Sequence, residues 1–129
     1  MVVADTDVLV DALDKEREPA ASRIAALIRR GELATTAVSL YELTAGPRTT
    51  AEQLELLHSE LGPVPVLAVT RGAAELAGAV NRMLARRGEA IAIPDTLIAG
   101  VCIAHGLPLL TRNVQHFGRV PGLALERLA

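Results

Sequence analysis

The sequence predicts an α/β fold with a mostly parallel central sheet, built as a single domain over residues 1–129. Short apolar segments alternate with longer segments of helical periodicity, the pattern expected of strand–helix–strand units. Of the 129 residues, 50% are hydrophobic and only 2% aromatic, so the chain can bury a core of aliphatic side chains. No repeat, linker or low-complexity segment interrupts the pattern. In such folds sites form at the carboxyl ends of the strands, so functional residues are expected there.

The individual elements follow from apolar periodicity and from residues that begin and end helices. The first apolar run ends at Asp5, and Thr6 or Asp7 can cap the turn that follows. Thr50 and Thr70 are capping residues for two later helices, and glycines mark the ends of others. In chain order, the predicted elements are a strand over 2–4, a helix within 19–32, a strand over 33–35, a helix running through Glu42 to 46–47, a helix within 49–62, a strand within 64–69, a helix within 70–89, a helix from 94–95 to 106, a strand within 107–112 and a small edge strand within 120–129.

Composition excludes several classes of protein. The formal net charge is −2, so binding of nucleic acid through a domain-wide basic surface is not expected. The single cysteine, Cys102, cannot form an internal disulfide, and in its apolar surroundings it is expected to be inert. No apolar run reaches the roughly 20 residues that span a bilayer, and the first residues lack the basic region of a signal peptide. A cytoplasmic protein without membrane contact is therefore expected.

The aspartates are distributed unevenly along the chain. Four of the five lie within the first fourteen residues, and the fifth is Asp95. Asp5 directly follows the first predicted strand, at the position where a parallel sheet places its ligands. Asp11 and Asp14 follow at helical spacing and are expected to face solvent or to cap a helix. Asp5 is therefore the first candidate for a functional carboxylate.

Two further carboxylates are candidates for the same site. Asp95 begins a strongly apolar helix, where it is either a surface residue favoured by the helix dipole or a ligand at the mouth of a buried helix. Glu42, in the apolar segment “SLYELTAG”, either faces water or has a partner inside the fold. If the fold brings Asp5, Glu42 and Asp95 together, they repel one another, and a divalent cation removes that repulsion. Oxygen ligands of this kind suit Mg²⁺ or Mn²⁺, which can activate a water for in-line attack on a phosphate.

At these residues the sequence resembles the PIN-domain family and, within it, the VapC-type toxins of bacterial toxin–antitoxin pairs. The segment “VVADTDVLVDAL” is similar to the family's opening strand with its first metal-binding aspartate, here Asp5. The segment “AVSLYELTAG” is similar to the one that carries the second acid, here Glu42. In the C-terminal block, “IAIPDTLIAGVCIAHGLPLLTRNVQHFGRVPGLALE”, Asp95 matches the third acid. The order and spacing of these motifs cover nearly the whole chain.

The resemblance implies a fold, an activity and partners. The expected fold is a three-layer α/β/α sandwich, and the expected activity is an endoribonuclease that uses Mg²⁺ or Mn²⁺ to hydrolyse RNA. The implied catalytic set is Asp5, Glu42, Asp95 and Asn113, with the three acids as metal ligands. A cognate VapB-like antitoxin is the expected protein partner, and a homodimer is the expected assembly.

The chain departs from the family pattern at the fourth group. Many relatives carry an acid in or just after the segment that reads “TRN” here, whereas no Asp or Glu occurs between Asp95 and Glu126. Asn113 can supply a neutral oxygen or orient a water in place of that acid. The lost charge predicts weaker cation binding and leaves open whether the site takes one metal ion or two.

Residues beside these acids have predicted supporting roles. Thr6 and Thr111 are expected to hydrogen-bond to the carboxylates or to the backbone, and Thr6 is also a candidate for substrate binding. Arg112 is able to grip a phosphate through two nitrogens. His116 is either a proton donor or a structural residue at the rim of the site.

Two rival functions are left open. The segment “DTDV” also resembles the haloacid-dehalogenase phosphotransferases, in which Asp5 would attack phosphorus and Asp7 would handle the proton. That chemistry needs a lysine well downstream, and the only lysine, Lys15, follows Asp7 too closely. In the PIN-like interpretation, Asp7 has a capping or turn role. The second rival is a non-catalytic PIN-fold module that binds its antitoxin or RNA without cutting.

Overall fold

The computed structural model describes residues 1–14 and 16–128. Lys15, which carries the argument against a phosphotransferase, and Ala129 lie outside the described residues. In chain order the elements are β1 (Val2–Ala4), α1 (Thr6–Leu13), α2 (Ala20–Arg29), β2 (Leu33–Thr36), α3 (Ala37–Thr44), α4 (Ala51–Leu61), β3 (Val66–Leu67), α5 (Arg71–Arg86), α6 (Ile93–His105), β4 (Leu109–Thr111), α7 (Val114–Phe117) and β5 (Leu125–Arg127). Across the part of the chain so described, no helix combines the length and the apolar character needed to cross a membrane.

The strands form one sheet with the order β3-β2-β1-β4-β5, and every pairing in it is parallel. β1 lies at the centre and pairs with β2 on one side and with β4 on the other. The chain therefore winds outward in one direction through β2 and β3 and then in the opposite direction through β4 and β5. Ligands of such sheets bind where the winding reverses, outside the carboxyl ends of the central strands. The ends of β1 and β4 are thus the expected place for a site.

Side chains of β1 alternate between two apolar cores, one on each face of the sheet. Val2 and Ala4 pack with side chains of α1, α2 and α4, whereas Val3 packs with Ile98 and Cys102 of α6. Helices cover both faces of the sheet, which confirms the predicted three-layer α/β/α arrangement. Burial raises the pKa of the Cys102 thiol to about 12, in agreement with an inert core cysteine.

The other predicted elements are present, and the differences are local. Thr50 and Thr70 cap α4 and α5 as expected. Asp5, and not Thr6 or Asp7, is the N-cap of α1. The strand expected within 64–69 is reduced to Val66–Leu67, since Pro65 has no N–H to donate to the sheet. The predicted elements do not include α1, for which the sequence indicates only a capped turn, or the one-turn helix α7.

Candidate active site

Asp5 lies where β1 ends and α1 begins, and two hydrogen bonds hold its carboxylate. Thr6 N–H donates to Oδ1 at 2.8 Å, and the Thr111 hydroxyl donates to Oδ2 at 2.8 Å. Because Thr111 ends β4, the second bond joins the carboxyl ends of the two central strands and confirms the expected role of Thr111. Asp5 is only 6% exposed. Burial, aided by the nearby Asp7 carboxylate, raises the pKa of Asp5 to about 7.

Glu42 lies on α3, and Thr6 holds it from α1. The Thr6 hydroxyl donates to Glu42 Oε1 at 2.7 Å, which confirms that Thr6 bonds to a carboxylate. Ser39 Oγ lies 3.0 Å from the same hydroxyl, and since Thr6 has a single proton to give, Ser39 is the donor in that contact. Thr36 anchors Ser39, because its side chain accepts from Ser39 N–H at 3.1 Å and caps α3. Glu42 is therefore exposed and also partnered, a combination of the two alternatives that the sequence leaves open.

Asp95 lies in the first turn of α6, and helix packing places it. Gly100 lets α6 approach α5 closely: a Cβ there would collide with the carbonyl oxygen of Ala73 and lie 3.1 Å from Ala77 Cβ. Asp95 is half-buried, and its pKa is raised first by burial and then by the negative charge of Glu42. The two carboxylates, which are distant in sequence, thus face the same space.

Asn113 and His116 follow β4 and complete this edge of the site. Asn113 N–H donates to Thr111 Oγ1 at 2.9 Å, so Thr111 accepts from the turn while it donates to Asp5. The Asn113 side-chain nitrogen lies 3.0 Å from His116 Nδ1, which leaves the amide oxygen to face a ligand. His116 is exposed on α7, and in its protonated form its charge partly offsets the raised pKa of Asp95.

One open cleft of about 320 Å³ is lined by the four residues predicted as the catalytic set, Asp5, Glu42, Asp95 and Asn113. Asp7 lines the same cleft, a position beyond the capping or turn role expected for it. Its charge contributes to the raised pKa of both Asp5 and Asp95. The sequence contains one indication that Asp7 lines the cleft. Asp7 lies two residues after Asp5, in the first helical turn, so its side chain is close to the helix N-terminus at which Asp5 lies. The cleft therefore contains a fourth carboxylate in spite of the acid missing from the “TRN” segment.

Asp11 is buried, so the expectation that it faces solvent or caps a helix is wrong. It is 5% exposed, and Arg112 Nη2 lies 2.6 Å from its Oδ2. Oδ2 has no hydrogen bond of acceptable angle within the described residues, so charge attraction holds this pair. The segment that follows β4 covers this face of α1, which no local pattern reveals. Arg112, expected to grip a phosphate, is thus engaged with a protein carboxylate.

The donors of the cleft suit a hard divalent cation. Over residues 1–14 and 16–128, no three His, Cys, Asp or Glu side chains form a preformed metal cage. The fit rests on donor chemistry instead, because carboxylate and amide oxygens line the cleft, with no nitrogen or sulfur ligand among them. The pKa of Asp5 is raised by burial and by Asp7, and that of Asp95 by burial, by Glu42 and by Asp7. A bound cation offsets both the burial and the repulsion.

Known proteins have sequences similar to nearly the whole of this chain. A family profile described as the PIN domain matches residues 2–123. Ribonuclease VapC19 of Mycobacterium tuberculosis is 35% identical over 125 residues, which cover 95% of this chain and 97% of that protein. A tRNA(fMet)-specific endonuclease VapC of Shigella flexneri is 28% identical over 125 residues, which cover 95% of this chain and 93% of that protein.

Solved structures show the same fold. A VapBC2 structure from Rickettsia felis, bound to a DNA fragment from its promoter, aligns with a TM-score of 0.88 at 24% identity and covers 100% of both chains. VapBC-5 of Mycobacterium tuberculosis, a member of the VapBC family of toxin–antitoxin systems, aligns with a TM-score of 0.69 at 28% identity, covering 98% of this chain and 96% of that one.

Proposed function

The chain belongs to the PIN-domain family, and we propose that it is a single-domain, metal-dependent endoribonuclease, the toxin of a toxin–antitoxin pair. The supporting observation is the cleft itself, which four segments at the carboxyl edge of the sheet line with Asp5 and Asp7, Glu42, Asp95, and Asn113. The ribonuclease and endonuclease relatives match nearly the whole chain, so the activity is assigned to the full domain. Family membership removes the phosphotransferase alternative.

The acids of the cleft are the proposed metal ligands. Asp5, Glu42 and Asp95 would hold Mg²⁺ or Mn²⁺, with Asp7 adding charge and Asn113 a neutral oxygen. When bound, such an ion supplies a Lewis acid beside the scissile phosphate and lowers the pKa of water that attacks it. The hydrogen bonds to Asp5 keep its two oxygens fixed, so little reorganisation is needed when the ion binds.

The neighbouring polar residues have separate tasks in the proposed reaction. His116 lies exposed beside Asn113 at the rim of the cleft; with Nδ1 accepting from the Asn113 amide, its Nε2–H is the group left to hydrogen-bond to the substrate. Thr6 orients Glu42 rather than the substrate, since its hydroxyl proton is already donated. Arg112 is engaged by Asp11, so direct phosphate binding by its guanidinium is not part of the proposal.

A protein partner belongs to the proposed toxin role. We propose a VapB-like antitoxin, by analogy with VapBC-5, a member of a family of toxin–antitoxin systems. A homodimeric assembly and action in the cytoplasm are proposed from the family resemblance of the sequence. Exposed apolar surfaces of the chain provide area for such contacts. One is a groove of about 380 Å³ whose apolar lining is Val10, Leu13, Leu43, Leu56 and Leu57. Another is a groove of about 300 Å³ lined by Ala37, Val38, Tyr41, Val69, Pro94 and Leu97, in which Tyr41 is 70% exposed.

Cleavage of RNA by the purified chain tests the proposal. We expect cutting of total RNA in Mg²⁺ or Mn²⁺ that stops in excess chelator. Asp5→Asn and Asp95→Asn should each lower the cleavage rate by about 10²–10³-fold, because each removes charge from a preorganised site. The measurement is the initial rate on a defined RNA, with each variant shown to be folded by circular dichroism.

Asp14→Asn is the matched control, since it is the same substitution just beyond α1 and outside the cleft. It should cut like the wild type. Cutting by Asp5→Asn at the wild-type rate would point to a contaminating nuclease. Folded wild-type protein that leaves RNA intact with either metal, yet binds an antitoxin, would establish the non-catalytic module instead.

A further inference from the structure

The ion pair between Asp11 and Arg112 joins two segments that both carry residues of the cleft. Asp11 lies on α1, one helical turn after Asp7 and six residues after Asp5. Arg112 lies between Thr111 and Asn113, in the turn after β4. The Asp11 side chain is 6% exposed and that of Arg112 is 37% exposed, with Nη2 and Oδ2 2.6 Å apart. A charge buried to this degree persists only with a partner, so the pair is a fixed part of the fold.

We infer that the Asp11–Arg112 pair is a positioning device that sets the turn carrying Asn113 against α1. The inference rests on the proposed function, because Asn113 matters only if the cleft binds metal and RNA. Arg112 acts through Asn113 and does not touch the substrate.

Two attachments fix the turn more firmly than one. Thr111 attaches it to Asp5 at the start of α1, through the hydroxyl bond of 2.8 Å. Arg112 attaches it to Asp11, about 9 Å further along the helix axis at 1.5 Å per residue. With the first attachment alone, the turn can pivot about Thr111. The second attachment removes this freedom, and with it the freedom of Asn113 to move away from the acids.

The backbone of the turn contains a direct reporter of this order. Asn113 N–H donates to Thr111 Oγ1 at 2.9 Å, and Phe117 N–H donates to the Asn113 carbonyl at 3.2 Å. If the turn pivots about Thr111, Asn113 N–H loses its acceptor for part of the time, whereas Phe117 N–H and its acceptor move together. Hydrogen exchange at Asn113 therefore reports the pair's effect without any metal or RNA, and exchange at Phe117 is an internal reference.

The competing role for Arg112 is direct phosphate binding, and the two roles differ in what Asp11 should do. If Arg112 grips phosphate, removing Asp11 frees the guanidinium and leaves substrate affinity intact or improved. If the pair positions Asn113, removing either partner has the same consequence. Asp11→Asn and Arg112→Gln are therefore the informative variants. Each single variant leaves one charge of the pair without its partner, whereas the double variant removes both charges.

The first measurement is amide exchange by NMR on the metal-free protein. We expect exchange at Asn113 to become about tenfold faster in both single variants and in the double variant, with a smaller change at Phe117. Arg112→Lys, which keeps the charge, should restore part of the protection. The surface pair Arg71–Glu75 is the control, because its side chains are 93% and 67% exposed, and Glu75→Gln should leave both amides unchanged.

The second measurement is steady-state cleavage of RNA. We expect kcat to fall about ten- to a hundredfold in Asp11→Asn and Arg112→Gln alike, with KM unchanged, as for a misplaced group near the reaction. A raised KM in Arg112→Gln with normal kinetics in Asp11→Asn would overturn the inference in favour of phosphate binding. Unchanged exchange at Asn113 in the folded double variant would overturn it as well. If wild-type protein cuts no RNA, the proposed function fails, while the exchange result still decides whether the pair positions the turn.

Discussion

Asp5 and Asp95 line the same cleft but are held in different ways. Asp5 is buried and fixed by hydrogen bonds from Thr6 N–H and from the Thr111 hydroxyl. Asp95 is half-buried and has no side-chain hydrogen bond within the described residues, so its position follows from where α6 lies. The first acid is placed by a local polar network and the second by the packing of two helices.

The difference identifies which changes elsewhere in the chain affect each acid. The network around Asp5 involves groups within a few ångströms, so substitutions near it act on its charge and orientation. The position of Asp95 depends on contacts along the whole α5–α6 interface, including Gly100, which lies more than one helical turn from the acid. A substitution that loosens the packing of α6 should therefore lower stability and also displace Asp95, whereas substitutions near Asp5 act mainly on that acid alone.

Gly100→Ala should have the largest effect on the Asp95 side. The new Cβ meets the Ala73 carbonyl and the Ala77 side chain, which belong to helix backbone and a buried face and cannot move aside cheaply. We expect a loss of about 2–4 kcal/mol in the free energy of unfolding, as for overpacking of a tight contact. Urea unfolding of the metal-free protein measures it.

Gly78→Ala is the matched control on α5. Gly78 is exposed, and a Cβ there meets nothing within 4 Å. We expect this variant to gain roughly 0.5–1 kcal/mol from helix propensity alone. The two substitutions are chemically identical and should differ in sign. Equal stability of Gly100→Ala and the wild type would show that close approach at this glycine does not hold α6.

The contrast also explains how far the sequence predicts the site. Asp5 is recognisable locally, because an acid directly after an apolar strand falls at the carboxyl edge of a parallel sheet. Asp95 and Glu42 are recognised as candidates, but only the resemblance to a family joins them, since their meeting depends on the packing of α3 and α6. Asp7 and Asp11 have local signals that fit a cap or a surface equally well. Their environments are set by the turn after β4, a hundred residues away in the chain.

Asp5→Asn should have an effect of similar size on stability in the absence of metal, but only at high pH. The pKa of Asp5 is raised to about 7 in the folded protein, first by burial, and its unfolded value is near 4. The folded state therefore binds the Asp5 proton more tightly than the unfolded state does. The contribution of this proton to the free energy of unfolding is complete below pH ~4 and is lost as pH rises to about 7. At pH 8 we expect the Asn variant to be more stable than the wild type by roughly 2–4 kcal/mol, with little difference at pH 4.

The pH series in chelator distinguishes the two acids. Asn keeps a good N-cap at position 5, so the comparison isolates the charge. Asp95→Asn should change the dependence of the free energy of unfolding on pH in the same direction, but by less, because Asp95 is more exposed than Asp5. A stability curve for Asp5→Asn that still falls between pH 4 and 7 like the wild type would mean that the buried charge lies elsewhere. Strong destabilisation at every pH would mean that Asp5 is structural.

Asp7→Asn should have the smallest effect, on metal affinity. Asp7 lies in the cleft and its charge acts on both Asp5 and Asp95, so it links the two differently held acids. We expect binding of Mn²⁺, measured by calorimetry without RNA, to weaken about tenfold, or ~1.4 kcal/mol.

Asn113→Asp restores an acid to the “TRN” segment and should tighten binding by a similar factor. The double variant returns the charge of the cleft to its original value, so its affinity should match the wild type. If Asp7→Asn binds Mn²⁺ as tightly as the wild type, Asp7 does not replace the missing acid, and the lower charge predicted from the sequence stands.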